Sequence, residues 1–146
     1  MKTCFFIGHA DAGMRIYDSL VAAVERHISA YGVLNFMVGR YGNFDSMAAS
    51  AVHSLRSRHE GLKLTLLLPY HPAAGRSIMD DPRFDDSLYP FDGPVPYRCA
   101  IPRANRYAID HADYLICYVR HPGKSRDYLE YARKRERKGL VHIEKI

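Results

Sequence analysis

Short apolar runs alternate along this chain with longer segments in which apolar residues recur every three or four positions. The runs cover residues 3–7, 34–38, 63–68, 114–119 and 140–146, and the periodic segments cover 14–31, 44–55, 103–111 and 125–138. The first pattern is typical of buried strands and the second of amphipathic helices. Their alternation predicts an α/β fold: a Rossmann-like three-layer domain with about five parallel strands, in the order 3-2-1-4-5, and helices on both faces.

One segment interrupts the alternation. Residues 70–102 are rich in Pro, Asp and Gly and show no periodicity, so we expect a long loop insertion of the kind that forms lids or binding loops. The whole chain has 146 residues, the commonest size of one domain. We therefore expect residues 1–146 to form a single domain that carries this insertion.

Hydropathy and cysteine usage bear on the compartment. No apolar run approaches the ~20 residues that a membrane span needs, and the apolar stretch near the first residue is too short for a signal sequence. Cys4, Cys99 and Cys117 are an odd number without CxxC spacing, as expected for free thiols in a reducing compartment. We expect a cytoplasmic protein without a membrane partner.

The net charge of +5 is concentrated between residues 120 and 138, which hold eight Lys or Arg against three Asp or Glu. Residues 80–92 hold five Asp and one Arg. One hypothesis is that these acids cover a pocket and pair with a basic cluster near the end of the fourth predicted strand, comprising Arg103, Arg106, Arg120, Lys124 and Arg126. The alternatives are a solvated acidic loop and a solvated helix face.

Glycine-containing turns follow the first two predicted strands. The first reads Gly8-His9, and the second reads Gly39-Arg40-Tyr41-Gly42-Asn43-Phe44-Asp45. Each leads into a helix N-terminus, where free amides favour an anion such as phosphate. A side chain at Gly42 is expected to block that approach while leaving much of the fold intact. Asp45 is either a helix cap or a ligand contact.

Two further sets of polar residues lie near predicted strand ends. Arg103 and Asn105 begin a short helix and suit a phosphate or a base edge, with an ordinary surface helix as the alternative. His9, His71 and His121 each follow a predicted strand. No HxH or HExxH spacing accompanies these histidines, so we expect turn residues or single ligand contacts, and no metal site or other cofactor.

Four groups of motifs occur in order at these strand ends: Phe6-Ile7-Gly8-His9; Val38-Gly39-x-x-Gly42-x-x-Asp45-x-x-Ala48-Ala49; Arg103-x-Asn105-x-x-x-x-Asp110-x-x-Asp113; and Gly123-x-Ser125 with Glu130-Tyr131-Ala132. Together they resemble the SLOG superfamily, the Rossmann-like nucleotide-binding group that joins the DprA/Smf proteins and the LOG phosphoribohydrolases. The resemblance covers residues 3–56 and 102–145. It implies a nucleotide or nucleotide-derived ligand across Gly8, Gly39, Gly42 and the turn near Gly123.

The chain departs from the LOG pattern at one motif. LOG hydrolases carry PGGxGTxxE, whereas this chain reads Pro122-Gly123-Lys124-Ser125-Arg126, with a lysine in place of the second glycine and no Glu at the motif's spacing. Glu130 lies further along and points to a different face of the predicted helix. Lys124 and Arg126 still suit a phosphate.

These observations favour a non-catalytic binding or sensing module for a nucleotide-like molecule. The alternative is a LOG-like N-glycosidic hydrolase of nucleoside monophosphates, in which Asp45, Asp127 or Glu130 would stabilise an oxocarbenium-like sugar. A third class is single-stranded nucleic-acid binding by the basic last helix, where Tyr128 and Tyr131 interleave with the charges but are more typical of a core. A homo-oligomer is compatible with all three. The predicted ligand-binding residues are Gly8, His9, Gly39, Arg40, Gly42, Asp45, Arg103, Asn105, Gly123, Lys124 and Ser125.

Overall fold

The computed structural model describes residues 1–71 and 81–146 as one parallel sheet with helices on both faces. The elements in chain order are β1 (Thr3–Gly8), α1 (Tyr17–Tyr31, after a 3₁₀ turn at Met14–Ile16), β2 (Asn35–Val38), α2 (Asn43–Ser54), β3 (Lys63–Leu67), β4 (Asp86–Leu88), α3 (Tyr97–His111), β5 (Tyr114–Tyr118), α4 (Lys124–Arg137) and β6 (His142–Lys145). The strand order is β4-β3-β2-β1-β5-β6, and every neighbouring pair is parallel. The predicted α/β fold is confirmed.

The two sides of the sheet are buried by different helices. Along β1, Cys4 and Phe6 pack with α1 and α2, whereas Phe5 and Ile7 pack with α3 and α4. This alternation follows from the two-residue period of a strand. Because both faces are covered, β1 is apolar throughout, which is why a continuous apolar run identified it.

The segment 70–102 differs from the predicted loop. Its described part contains the short strand β4, which pairs with β3 at the sheet edge and makes the number of strands six. It also contains the start of α3, which begins at Tyr97, six residues before the predicted helix, with Pro102 inside it. No helix in the described part of the chain has the length and hydropathy to cross a membrane.

The acidic residues of this segment pair locally. Asp81 pairs with Arg83 at 2.8 Å, Asp85 with Arg56 at 2.6 Å, and Asp86 with Lys63 at 3.3 Å. The hypothesis that they pair with the basic cluster is therefore wrong for these three acids, because their partners are cations at the β3–β4 edge and within the segment itself. Asp80 was part of the same hypothesis and lies outside the described residues.

Candidate ligand-binding cleft

A cleft of about 330 Å³ opens beyond the carboxyl end of β1. Its lining comes from the end of β1, the β1–α1 and β2–α2 turns, α2, α3 and the start of α4, and comprises Phe6, Ile7, Gly8, Ala10, Tyr41, Asp45, Ile101, Asn105, Lys124, Ser125 and Tyr128. The strand order reverses at β1. β2, β3 and β4 lie on one side of β1, and β5 and β6 lie on the other. Open α/β sheets bind ligands at this point of reversal. The volume lies at the small end of the ~300–1,000 Å³ typical of small-molecule sites.

The N-terminus of α4 forms one wall. Gly123 precedes the helix with φ 148°, a conformation that favours glycine, and no side chain of the described residues caps the first turn. The Ser125 hydroxyl donates a hydrogen bond to the Gly8 carbonyl at 2.9 Å and so fixes the helix against the end of β1. Lys124 makes no ion pair with any residue of 1–71 or 81–146. This wall therefore offers uncapped amides and an unpaired cation.

Asp45, in the first turn of α2, forms part of the opposite wall. Its Oδ2 accepts a hydrogen bond from the Tyr41 amide at 3.1 Å, which holds the carboxyl group against the turn. Burial raises the pKa of Asp45 from 3.8 to about 6, and the Tyr41 hydrogen bond only partly opposes this. A side chain at Gly39 would place its Cβ 3.0 Å from the same Oδ2. Asp45 is thus a desolvated carboxyl group whose remaining lone pairs can accept hydrogen bonds from a ligand.

The glycines of the two turns serve close packing. A Cβ at Gly42 would lie 2.4 Å from Cα of Ala10, and one at Gly8 would lie 2.2 Å from the Phe44 ring. Gly42 also has φ 136°, and the next amide, that of Asn43, donates to the Ala10 carbonyl at 2.9 Å. The expectation that a side chain at Gly42 would leave the fold intact is therefore wrong, because the two turns touch through their backbones.

His9 joins two turns beneath the cleft. Its Nε2 accepts a hydrogen bond from the Arg120 amide at 2.7 Å, and its ring stacks on His121 with centroids 3.7 Å apart. Burial and then His121 lower the pKa of His9, so the ring is neutral and carries its proton on Nδ1. His9, His121 and Asp11 hold ligand atoms within 4.8 Å of one another. With Nε2 accepting from the Arg120 amide and the proton on Nδ1, His9 has no free lone pair in this arrangement.

Several predicted residues lie elsewhere. Arg40, Arg103, Gly123, Asp127 and Glu130 are exposed, and none of these five residues lines the cleft. Gly39, Gly42 and His9 are not part of the lining either. Of the predicted ligand-binding residues, the structure brings together Gly8, Asp45, Asn105, Lys124 and Ser125. Asp45 is the one catalytic candidate among them.

The basic last helix places its two tyrosines differently from each other. Tyr128 lines the cleft. The Tyr131 hydroxyl donates to Asp110 at 2.9 Å, and Arg106 lies over its ring at 5.6 Å. Tyr131 is thus engaged within the fold, which leaves one of the pair facing a ligand site.

Sequence reasoning missed part of the lining, notably Tyr41, Ile101 and Tyr128. Tyr41 lies between Gly39 and Gly42 in the second glycine-containing turn, and this position was the signal that could have identified it. Ile101 was missed because it lies in the segment 70–102, which was predicted to be a loop, and Tyr128 because helical spacing suggested a core residue. The chain matches no protein-family model and no curated protein.

Proposed function

We propose that this cleft binds a nucleotide or nucleotide-derived molecule and that the chain is a binding or sensing module of the SLOG type rather than an enzyme. The observation that carries the proposal is the pairing, across one cleft, of an uncapped helix N-terminus bearing Lys124 with the half-buried carboxyl group of Asp45, whose pKa is raised. One wall suits an anion, and the other suits hydrogen-bond donors.

The anionic part of the ligand belongs at α4. The first-turn amides and the helix dipole favour a phosphate there, and the Lys124 ammonium adds an unpaired positive charge. The bond between Ser125 and Gly8 holds these amides in place before a ligand arrives. A preorganised site loses less entropy on binding.

The hydroxyl-bearing part of the ligand belongs at Asp45. A sugar hydroxyl that donates to its carboxylate would compensate the burial that raises its pKa. Asn105, on the facing side of α3, supplies both a donor and an acceptor for further polar groups. An anion site at α4 beside hydrogen-bonding groups at Asp45 and Asn105 supports a nucleoside phosphate as the ligand.

The arrangement of the carboxyl groups supports a binding module over a hydrolase. Glycosidic hydrolysis commonly uses two carboxylates that flank the scissile bond. Asp127 and Glu130 are exposed on α4 and stand outside the lining, so Asp45 has no carboxylate partner among the residues that line the cleft.

Calorimetry tests the proposal. Small molecules released from the purified protein are identified by mass spectrometry, and nucleoside monophosphates are titrated into the dialysed chain. Lys124→Ala should weaken binding roughly 10- to 100-fold, since a hydrogen bond to a charged group contributes roughly 1.5–3 kcal/mol. Lys134→Ala is the matched control, because it removes the same charge from the same helix about 15 Å further along. Equal affinities for both variants and the unaltered chain, or no binding at all, would contradict the proposal.

A second candidate is an N-glycosidic hydrolase. It is favoured by Asp45 alone, since a carboxyl group with a pKa of about 6 is suited to general acid catalysis near neutral pH. Incubation of the dialysed chain with each nucleoside monophosphate, followed by chromatography of the free base, separates the two. If the unaltered chain releases free base and Asp45→Asn does not, the protein is a hydrolase and the proposal of a binding module is wrong.

A further inference from the structure

Three tyrosines gather at the mouth of the cleft. The rings of Tyr70 and Tyr97 stack with centroids 4.9 Å apart and planes 13° from parallel. Tyr41 lines the cleft, and its pKa is raised first by burial and then by the hydroxyls of Tyr70 and Tyr97. Despite these contacts, Tyr97 is 79% exposed and Tyr41 is 48% exposed. We call Tyr41, Tyr70 and Tyr97 the tyrosine rim.

The rim is continuous with the cleft along α3. Tyr97, Ile101 and Asn105 are spaced four residues apart and therefore lie on one face of that helix. Ile101 and Asn105 line the cleft, so the same face leads outward to Tyr97. Tyr97 and Asn105 are separated by about 12 Å along the axis. The distance from the rim to the polar lining at Asn105 is therefore comparable to the length of one nucleotide.

An exposed aromatic ring in this position is unusual for a structural role. Tyr97 begins its helix and belongs to neither hydrophobic core cluster of the described residues. Its ring is nevertheless oriented by stacking on the ring of Tyr70. A planar ligand group that stacked on its free face would lose little additional side-chain entropy.

We propose that the tyrosine rim is a stacking subsite for the aromatic base of the bound molecule, with Tyr97 as the platform and Tyr41 at its inner edge. This inference rests on the proposed function and narrows the ligand class. The ligand carries a planar aromatic base as well as a phosphate, and sugar phosphates without a base are poor ligands. The phosphate lies at α4 and the base at the rim, since the rim contributes rings without formal charge.

The test compares adenosine 5′-monophosphate with ribose 5-phosphate by calorimetry. The two probes share the sugar and the phosphate and differ in the base. The unaltered chain should bind the nucleotide roughly 5- to 100-fold more tightly, as is typical of one base stacked on an aromatic side chain. Tyr97→Ala should remove most of that preference without changing the affinity for ribose 5-phosphate.

Two variants separate stacking from other effects. Tyr97→Phe keeps the ring and should keep the preference, which distinguishes stacking from a hydrogen bond made by the hydroxyl. Tyr107→Ala removes a tyrosine from another face of α3, where its ring stacks on His111, and should also keep the preference. Circular dichroism checks that Tyr97→Ala is folded.

The outcomes are distinguishable from those of the proposed function. Equal affinity for the two probes, or a preference that survives in Tyr97→Ala, would overturn the stacking subsite while the proposed function stands, provided that Lys124→Ala weakens both probes. If neither probe binds the unaltered chain, both proposals fail.

Discussion

Asp45→Asn should stabilise the fold at neutral pH. Burial raises the pKa of Asp45 from 3.8 to about 6, so the folded chain holds this proton to a higher pH than the unfolded chain does. The unfolded chain then binds fewer protons between pH 3.8 and about 6, and stability falls as pH rises through that window. Above the window the full cost of the buried charge is present, and below it the cost vanishes. The amide of asparagine cannot ionise, and its oxygen can still accept the Tyr41 hydrogen bond.

The size of the effect follows from the shift. A displacement of about 2 pKa units corresponds to roughly 3 kcal/mol, which is an upper limit for a side chain that water still reaches in part. For a domain of this size, that limit is about 10 °C in Tm. Urea unfolding of the unaltered chain and of Asp45→Asn, measured between pH 4 and 8, should show a difference near zero at the acid end that grows to roughly 1–3 kcal/mol above pH 6.

Glu130→Gln is the matched control because it removes an exposed carboxylate that does not line the cleft. Its effect should be within about 0.5 kcal/mol at every pH. The same Asp45→Asn variant should bind nucleoside monophosphates more weakly, since a charged acceptor is replaced by a neutral one, so stability is gained where binding is lost. A variant that is less stable than the unaltered chain at pH 8, or a difference that does not change with pH, would refute the reasoning.

The remaining predictions concern the stability of the folded chain. Gly42→Ala should cost roughly 2–5 kcal/mol in urea unfolding, because its Cβ meets the backbone of Ala10, whereas Gly93→Ala, with nothing within 4 Å, should be close to neutral. Asp85→Asn should lower the free energy of unfolding by about 1 kcal/mol and leave nucleotide affinity unchanged. Because Arg56 lowers the pKa of Asp85, this stabilisation is present at neutral pH and is lost as the carboxylate is protonated in acid. Burial lowers the pKa of His27 below 6.5, so the unaltered chain should lose stability relative to His27→Leu as pH falls from 7 to 5.

The fold was accessible from the sequence because the strands are buried on both faces. A strand such as β1 must then be apolar along its whole length, and this gives a local signal. β4 gave no such signal. It is a three-residue edge strand that pairs on one side only, and ion pairs of Asp85 and Asp86 with α2–β3 residues hold it in place.

Only part of the candidate site could be predicted from the sequence. Strand ends and glycine turns directed attention to Gly8, Asp45 and Ser125, which do line the cleft. The reasons for two glycines were not accessible, because Gly8 packs on Phe44 and Gly42 on Ala10 through contacts that exist only in the folded chain. The tyrosine rim was missed for a related reason.

Tyr70 and Tyr97 are 27 residues apart, and no local pattern brings them together. Their stacking depends on where α3 begins, and the helix was predicted to begin at Arg103, six residues after its true start. Helical spacing becomes informative only once the first residue of the helix is known.

The location of the bound nucleotide is the sharpest test of the proposed cleft. Adenosine 5′-monophosphate is titrated into isotopically labelled protein, and backbone amide chemical shifts are followed by NMR. We expect the largest changes at Gly8, Tyr41, Lys124 and Ser125, and we expect them to saturate. Changes concentrated at Gly139–His142, which line a second cleft at the other edge of the sheet, or along the basic face of α4 near Arg133–Lys138, would contradict it.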